Sequence, residues 1–409
     1  MSQRSVLRPL GLILTDPGLR LPAGLLFLFG IAICVVVPYQ SVIGIERFGL
    51  SPFAYACVLA GAAVVSVIAS VTLGILSDGR FGRRQIAIFS LSVYLTGGLA
   101  VTIWPNATAF VFAHVLAYPV GGTIWAQTFA LARLSATRHG PAIDGAIMSA
   151  VRALYALPFA GALPLLSLAL ARGMDLTHIY TISFVLTLMM LALVLWAWPK
   201  GIEAEWSELR SPLSLRASLR AFTDRALLAR VALLGLIGAL VGMYMVLIGL
   251  TFHAAGRSDG DVAWFVGGVA AAEVPLMLAL PLLYPHFRRD QLIAGGAVIY
   301  AAHLTLLPFL SGSPLVWLLI LPAAVGGAAI LTLPIAYAQD LIAGRAGAGS
   351  SLMALQRIVA DASVAVAFAL GTRLAGYGLA AILCAATAVI AALTLMRIDR
   401  GRDGTRRHA

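Results

Sequence analysis

Charge is scarce in this chain: only 11% of its 409 residues are Asp, Glu, Lys or Arg, whereas 61% are hydrophobic. A soluble domain carries about twice that charge, so the composition, with a mean hydropathy of +0.95, excludes an ordinary water-soluble globule. It equally excludes a disordered chain, which needs low hydropathy and high charge. Lysine is all but missing, since 27 of the 28 basic residues are arginine, and the 17 acids leave a formal charge of +11. The three cysteines, Cys34, Cys57 and Cys384, sit inside apolar runs with neither metal-ligand spacing nor the pattern of a disulfide framework. There is no phosphate-binding Gly-Lys-Ser/Thr loop, no His-Glu-x-x-His and no nucleophile triad, which argues against an ATP-driven pump and an intramembrane protease. No enzyme activity, metal or cofactor is expected.

What the chain has in abundance is long apolar runs. Twelve approach or exceed the ~20 residues that cross a bilayer. They cover 21–45, 52–77, 85–104, 107–132, 145–171 and 176–198, then 231–252, 262–284, 292–310, 314–339, 346–372 and 377–396. The loops between them are too short for an extramembrane domain. Barrel strands would alternate polar and apolar residues, and runs such as 58–76 do not, so helices are expected. Residues 1–20 are basic but lack the compact apolar core and cleavage site of a signal peptide, so the first span is expected to be retained.

The basic residues alternate between the two sides. One side receives Arg4, Arg80, Arg133, Lys200, Arg288, Arg345 and their neighbours, 22 in all, while the other receives Arg47, Arg172, Arg257 and Arg373. The positive-inside rule then places both termini in the cytoplasm. The excess positive charge is thus a signal of topology, and nucleic acid is not expected as a partner.

The second half echoes the first. An offset of 205 brings Leu28, Gly30, Tyr39, Ile43 and Gly44 onto Leu233, Gly235, Tyr244, Ile248 and Gly249. The same offset brings Val120, Gly121 and Gly122 onto Val325, Gly326 and Gly327, and Met148 and Arg152 onto Met353 and Arg357. At 206, Tyr94 meets Tyr300. Near-identical offsets in separate regions predict an internal duplication. The expected fold is an all-α membrane protein with two six-helix halves related by a parallel pseudo-twofold, 1–198 and 231–409, joined by a linker at 199–230. Within the linker, Leu215, Leu219 and Phe222 share a helical face beside Arg216 and Arg220. That fits a short helix on the headgroups as well as it fits a solvated loop.

After the second span come Gly74, Asp78, Gly79, Arg80, Gly82, Arg83 and Arg84. This run resembles the signature loop of the major facilitator superfamily, with one extra residue after the acid. The resemblance implies a latch between the halves on the cytoplasmic side, made here by Gly74, Asp78, Arg83 and Arg84 and by Asp340 and Arg345 after span ten. Topology anchoring is the plainer reading of the arginines. The blocks Gln127–Arg133, Met148–Arg152, Glu273-Val274-Pro275 and Gln339–Gly347, with Pro38, resemble the bacterial sugar efflux transporters of that superfamily. That resemblance implies a multi-pass protein of the bacterial inner membrane, taken here as a monomer, that exchanges a sugar-like substrate for protons.

Four ionisable residues lie deep inside spans: Arg152, Glu273, Arg357 and Asp361. Each central Arg or Asp facing lipid costs about 2.5–3.5 kcal/mol, so such groups belong in the bundle interior or beside water. Arg357 and Asp361 are one turn apart and suit a structural pair as well as a functional one. Glu273 has eleven span residues on either side and is the candidate proton-titrating acid, with Arg152 its electrostatic partner across the boundary between halves. The arginines repeat between halves, but the acids fall on Val67 or Ile68 and on Ala156.

The resemblance implies a cavity lined by spans one, four, seven and ten. Tyr39, Gln40, Trp125, Gln127 and Tyr244, with Arg152 and Gln356, are the candidate substrate residues; Tyr337 and Gln339 suit interfacial anchoring better. Amides match sugar hydroxyls and aromatic rings offer flat faces to a sugar ring. His114 and His303 read as packing residues. Small residues at 62, 66, 70 and 74, and Gly238 with Gly242, predict close helix packing. Pro158, Pro164, Pro275 and Pro281 predict bends. The expected function is proton-coupled sugar or glycoside efflux by alternating access. A drug or other metabolite exporter is the alternative within transport, and a non-transporting membrane sensor the alternative outside it.

Overall fold

The computed structural model describes residues 3–78, 82–140, 143–199, 224–341 and 349–406. Among the described residues there is no strand, and twelve helices are long and apolar enough to cross a bilayer. Spans one to six are Pro17–Arg47, Pro52–Gly74, Arg83–Ile103, Ala107–Thr137, Asp144–Ala171 and His178–Ala197. Spans seven to twelve are Arg225–Ala254, Asp259–Leu283, Arg289–Leu310, Pro314–Pro334, Leu355–Leu374 and Tyr377–Arg400. An amphipathic helix, Gln3–Thr15, precedes span one. The linker's candidate surface face, Leu215, Leu219 and Phe222, lies outside the described residues.

Helix starts follow the local chemistry of the sequence. The Asp16 carboxylate accepts from Gly18 N at 2.7 Å, with Pro17 as the first helical residue of span one. Asp224 does the same for span seven, accepting from Ala226 N and Leu227 N at 3.1 Å. Such caps satisfy amides that the helix itself leaves open. Spans one and seven end in turns that need positive φ, at Gly49 and Gly256, where the missing Cβ removes the steric cost.

Two spans are not uniform helices. Span one passes through a 3-10 turn at Val37–Tyr39 and a π segment at Ile43–Arg47, beginning where Pro38 cannot donate to the ladder. Span four carries a π segment at Phe112–Ala117 and breaks between Gly121 and Ile124. Proline does not interrupt span five: Asp144–Ala171 is one helix through Pro158 and Pro164. In span eight the α-helix gives way to a 3-10 turn, Leu280–Leu283, at Pro281.

The contacts group the chain into two compact units, Met1–Val37 with Val64–Arg210, and Pro38–Ala63 with Ser211–Ala409. In the first, Leu25, Phe29, Leu91, Tyr94, Ile124, Leu131 and Met190 form one core cluster, and Leu19, Leu26, Ala132, Ile147 and Val151 a second. Lipid removes most of the hydrophobic drive between helices, so close fit and hydrogen bonds must hold them. Gly30 of span one therefore lies against the carbonyl of Tyr155 in span five. Gly121 of span four leaves only 2.8 Å between its would-be Cβ and the Ser90 carbonyl of span three.

The second unit repeats these contacts with equivalent residues. Gly235 of span seven sits on the Gln356 carbonyl of span eleven, at 2.6 Å from the would-be Cβ. Gly326 of span ten sits on the Gly296 carbonyl and the Tyr300 amide of span nine, at 2.7 and 2.8 Å. Gly121 maps to Gly326, and Ser90 and Tyr94 map to Gly296 and Tyr300, so the duplication extends to individual packing contacts. Gly242 likewise meets Val364 of span eleven at 3.0 Å, whereas the small-residue stripe of span two ends at a Gly74 with no atom within 4 Å.

The stretch Pro38–Ala63 belongs to the second unit by several contacts. Ser41 Oγ donates to the Val246 carbonyl at 2.6 Å, and the Pro38 carbonyl abuts Gly249. Tyr55 and Phe368 meet edge to face at 5.7 Å.

Candidate functional site

The deep charges are distributed between the two units. In the second, Glu273 is half-buried on span eight and interacts electrostatically with the phenols of Tyr244 and Tyr300. Its Oε1 occupies the place a side chain on Gly327 would take, and the same glycine faces the Tyr300 ring at 3.4 Å. Span ten thus admits the carboxyl group because it carries hydrogen, not methyl, at position 327. Tyr244 packs edge to face on Tyr300 at 6.1 Å and on His303 at 5.2 Å.

Polar atoms in this cluster lack partners among the described residues. The Tyr244 hydroxyl is buried without a hydrogen bond. His303 Nδ1 lies 3.1 Å from the Leu319 carbonyl, which only accepts, so Nδ1 carries the proton and Nε2 is left as a buried, unpartnered acceptor. Glu273 has no ion pair with a cation of its own unit among the described residues. An acid thus lies in one aromatic cluster with a phenol and an imidazole whose hydrogen-bonding positions are unfilled.

Arg152 is the mirror case in the first unit. It projects exposed from span five, with its guanidinium 5.8 Å from the centre of the Phe129 ring. Trp125 packs on Phe129 at 4.4 Å and on Tyr155 at 4.2 Å, giving a half-buried aromatic floor. Its electrostatic neighbour is another cation, Arg133. Arg357 and Asp361 form the expected one-turn pair on span eleven, with Nε to Oδ2 at 2.8 Å.

Several of the other cavity candidates make contacts that hold helices together. Tyr39 is fully buried and its hydroxyl donates to the Asp259 carbonyl at 2.8 Å, so it fastens the end of span one to the start of span eight. Gln40 is half-buried in the same stretch, packed on span seven. Gln127 is buried and its Oε1 accepts from Arg83 at 3.4 Å, which ties span four to span three. Tyr244 is buried in the Glu273 cluster, and the half-buried Gln356 packs its backbone on Gly235. The Tyr337 hydroxyl donates to Asp399 at 2.6 Å, and Asp399 also holds the buried Arg230 at 3.1 Å. His114 fits the packing role, with Nε2 2.8 Å from the Tyr180 hydroxyl.

In the signature loop, Arg84 caps the carbonyl end of span six, donating to Leu195 O at 2.7 Å. That is a tie inside one unit, made because a helix C-terminus presents unpaired carbonyls to a guanidinium. The side chains of Asp78 and Asp340, and all of Arg345, lie outside the described residues. Sequence reasoning missed Gly327, Tyr300 and Arg230 as site-building residues. Gly327 and Tyr300 were visible only as repeat markers, and nothing local linked Arg230 to Asp399 across 169 positions.

No protein-family profile matches the chain. Sugar efflux transporter A of Dickeya chrysanthemi is 30% identical over 336 residues, 80% of this chain and 81% of that protein. Among solved structures, the nucleoside transporter NupG superposes with a TM-score of 0.69 at 12% identity, covering 92% of this chain and 98% of that one. A D-xylose-proton symporter gives 0.67 at 17% identity, covering 92% and 95%. These two show the fold and nothing finer. Twelve spans in two repeated sets of six, the shared fold and a relative matched over most of both lengths converge on one conclusion: the chain is a membrane transporter, not an enzyme, and belongs to the bacterial sugar efflux transporters of the major facilitator superfamily.

Proposed function

We propose that this transporter exports sugars or glycosides in exchange for protons, by alternating access of two six-helix halves, 1–198 and 231–409, joined by the linker at 199–230. The observation that carries the proposal is the division of charge between units. The first holds a guanidinium inside span five, Arg152, over an aromatic floor with a second cation beside it. The second holds a mid-span carboxyl group, Glu273, among unpartnered phenol and imidazole atoms. Neither charge is compensated by its own unit among the described residues, and each costs several kcal/mol in lipid if left so. Glu273 is the proton-titrating acid and Arg152 its partner in one state of the cycle. Protonation releases Arg152, which is the electrostatic event that couples proton to substrate. Arg357 and Asp361 compensate each other and keep span eleven neutral. Trp125, Phe129 and Tyr155 supply the flat faces for the sugar ring. The latch of Asp78, Arg83, Asp340 and Arg345 holds the halves closed at the cytoplasmic side of a bacterial inner membrane, and the protein works as a monomer.

Proteoliposomes with a labelled sugar and an imposed pH gradient test this reading. The wild type is expected to accumulate sugar against its gradient only while the pH gradient lasts. Glu273→Gln is expected to lose that accumulation and keep sugar-for-sugar exchange. Gradient-driven accumulation by Glu273→Gln at the wild-type level overturns the assignment.

A further inference from the structure

Arg152 sits in a unit whose acids are all elsewhere or outside the described side chains. Asp16 is 2.7 Å from His139, and Asp175 holds the amide and hydroxyl of Thr177 at 2.8 and 2.6 Å. Asp144 begins span five, eight positions before Arg152 and so about 12 Å along the helix. The Asp78 side chain and residues Glu203, Glu205 and Glu208 lie outside what the structure describes. Among the described residues, then, no carboxylate of this unit pairs with Arg152, while Arg133 adds a second positive charge to its surroundings. Both guanidiniums are exposed, and Arg152 stands over Phe129, which packs on Trp125.

We propose that the preferred ligand is an anionic sugar derivative, with a carboxylate or phosphoester held by Arg152 and its ring laid on Trp125, Phe129 and Tyr155. The inference rests on the sugar reading above and deepens it by assigning the ligand a charge. Neutral hydroxyls offer a guanidinium single hydrogen bonds, whereas a carboxylate or phosphate accepts two in parallel with full charge assistance.

The test is the affinity ratio between matched sugars for the full-length protein in nanodiscs at pH 7, using glucose, glucuronate and glucose 6-phosphate in isothermal titration. At least one anionic sugar is expected to bind about ten-fold or more tightly than glucose, the equivalent of ~1.4 kcal/mol. Arg152→Gln is expected to collapse the ratio to about one, and Arg152→Lys, which keeps the charge, to retain part of it. A wild-type ratio near one or favouring glucose overturns the inference without any variant and leaves the sugar reading standing. So does a ratio that survives Arg152→Gln. If none of the three sugars binds, the sugar reading falls and this inference falls with it.

Discussion

Gly327 decides whether Glu273 can occupy its present position. A methyl group there would coincide with Glu273 Oε1 and crowd the Tyr300 ring. The carboxyl group must then swing away from Tyr244 and Tyr300, or span ten must shift. Overpacking of this kind costs about 1–3 kcal/mol. Gly327→Ala is therefore expected to cut pH-driven sugar accumulation at least as strongly as it lowers the melting temperature. Parallel measurement of transport and thermal unfolding in detergent checks this. Wild-type accumulation in a folded Gly327→Ala protein would separate the glycine from the proposed proton site.

Tyr39 makes the opposite case at the same scale. Its hydroxyl is committed to the Asp259 carbonyl inside the second unit. Tyr39→Phe removes one hydrogen bond, about 0.5–1.5 kcal/mol. The expected result is a lower melting temperature with unchanged sugar affinity, read by thermal unfolding and equilibrium binding on the same preparation. The sequence places Tyr39 correctly in span one but cannot say which way its ring points. A helical position fixes a residue's angle only relative to its neighbours, and span one abandons the regular 3.6-residue turn at Val37–Tyr39. The same gap explains Gln127, whose amide is used by Arg83, a residue the signature loop had assigned to a latch. Charged residues deep in spans were legible because their cost in lipid is large whatever their angle.

At the scale of elements, the repeat was the most legible feature of the chain. An offset read from a handful of matching letters resolves into the same helix-on-helix contact twice, Gly121 on Ser90 and Gly326 on Gly296. Both glycines leave less than 3.0 Å for a Cβ against backbone, which cannot move as a side-chain tip can. Gly121→Ala and Gly326→Ala are therefore each expected to destabilise by about 1–3 kcal/mol, to a similar extent in the two halves. Gly74→Ala serves as the control: with no atom within 4 Å, the substitution is expected to be neutral or to stabilise span two by up to about 1 kcal/mol through helix propensity. Thermal unfolding of the three variants side by side decides it. Equal behaviour of Gly74 and Gly121 would dissolve the argument from close approach. Span boundaries were less legible where helices change type. The π segment of span four and the extension of span seven back to Arg225 leave no hydropathy signal, because they alter backbone pairing and polar ends without altering apolar content.

At the scale of the whole molecule, the arginines carry the remaining information. Twenty-two basic residues on one set of segments against four on the other is a strong bias. During insertion the membrane potential and anionic lipids both retain such segments in the cytoplasm. The twelve spans preserve the parity on which that count depends, since no expected span is missing and no extra one appears among the described residues. With an even number of crossings the two termini are expected on one side, and by the bias on the cytoplasmic one. A fluorescent protein fused after Ala409 is expected to fluoresce, while alkaline phosphatase at the same point stays inactive. Fusions in the turns at Gly49 and Gly256, which join spans one to two and seven to eight, are expected to give the reverse pattern. Active phosphatase at the C-terminus would invert the topology. Asp78 and Arg345 would then face outward, and a latch built from them would close the transporter from the other side.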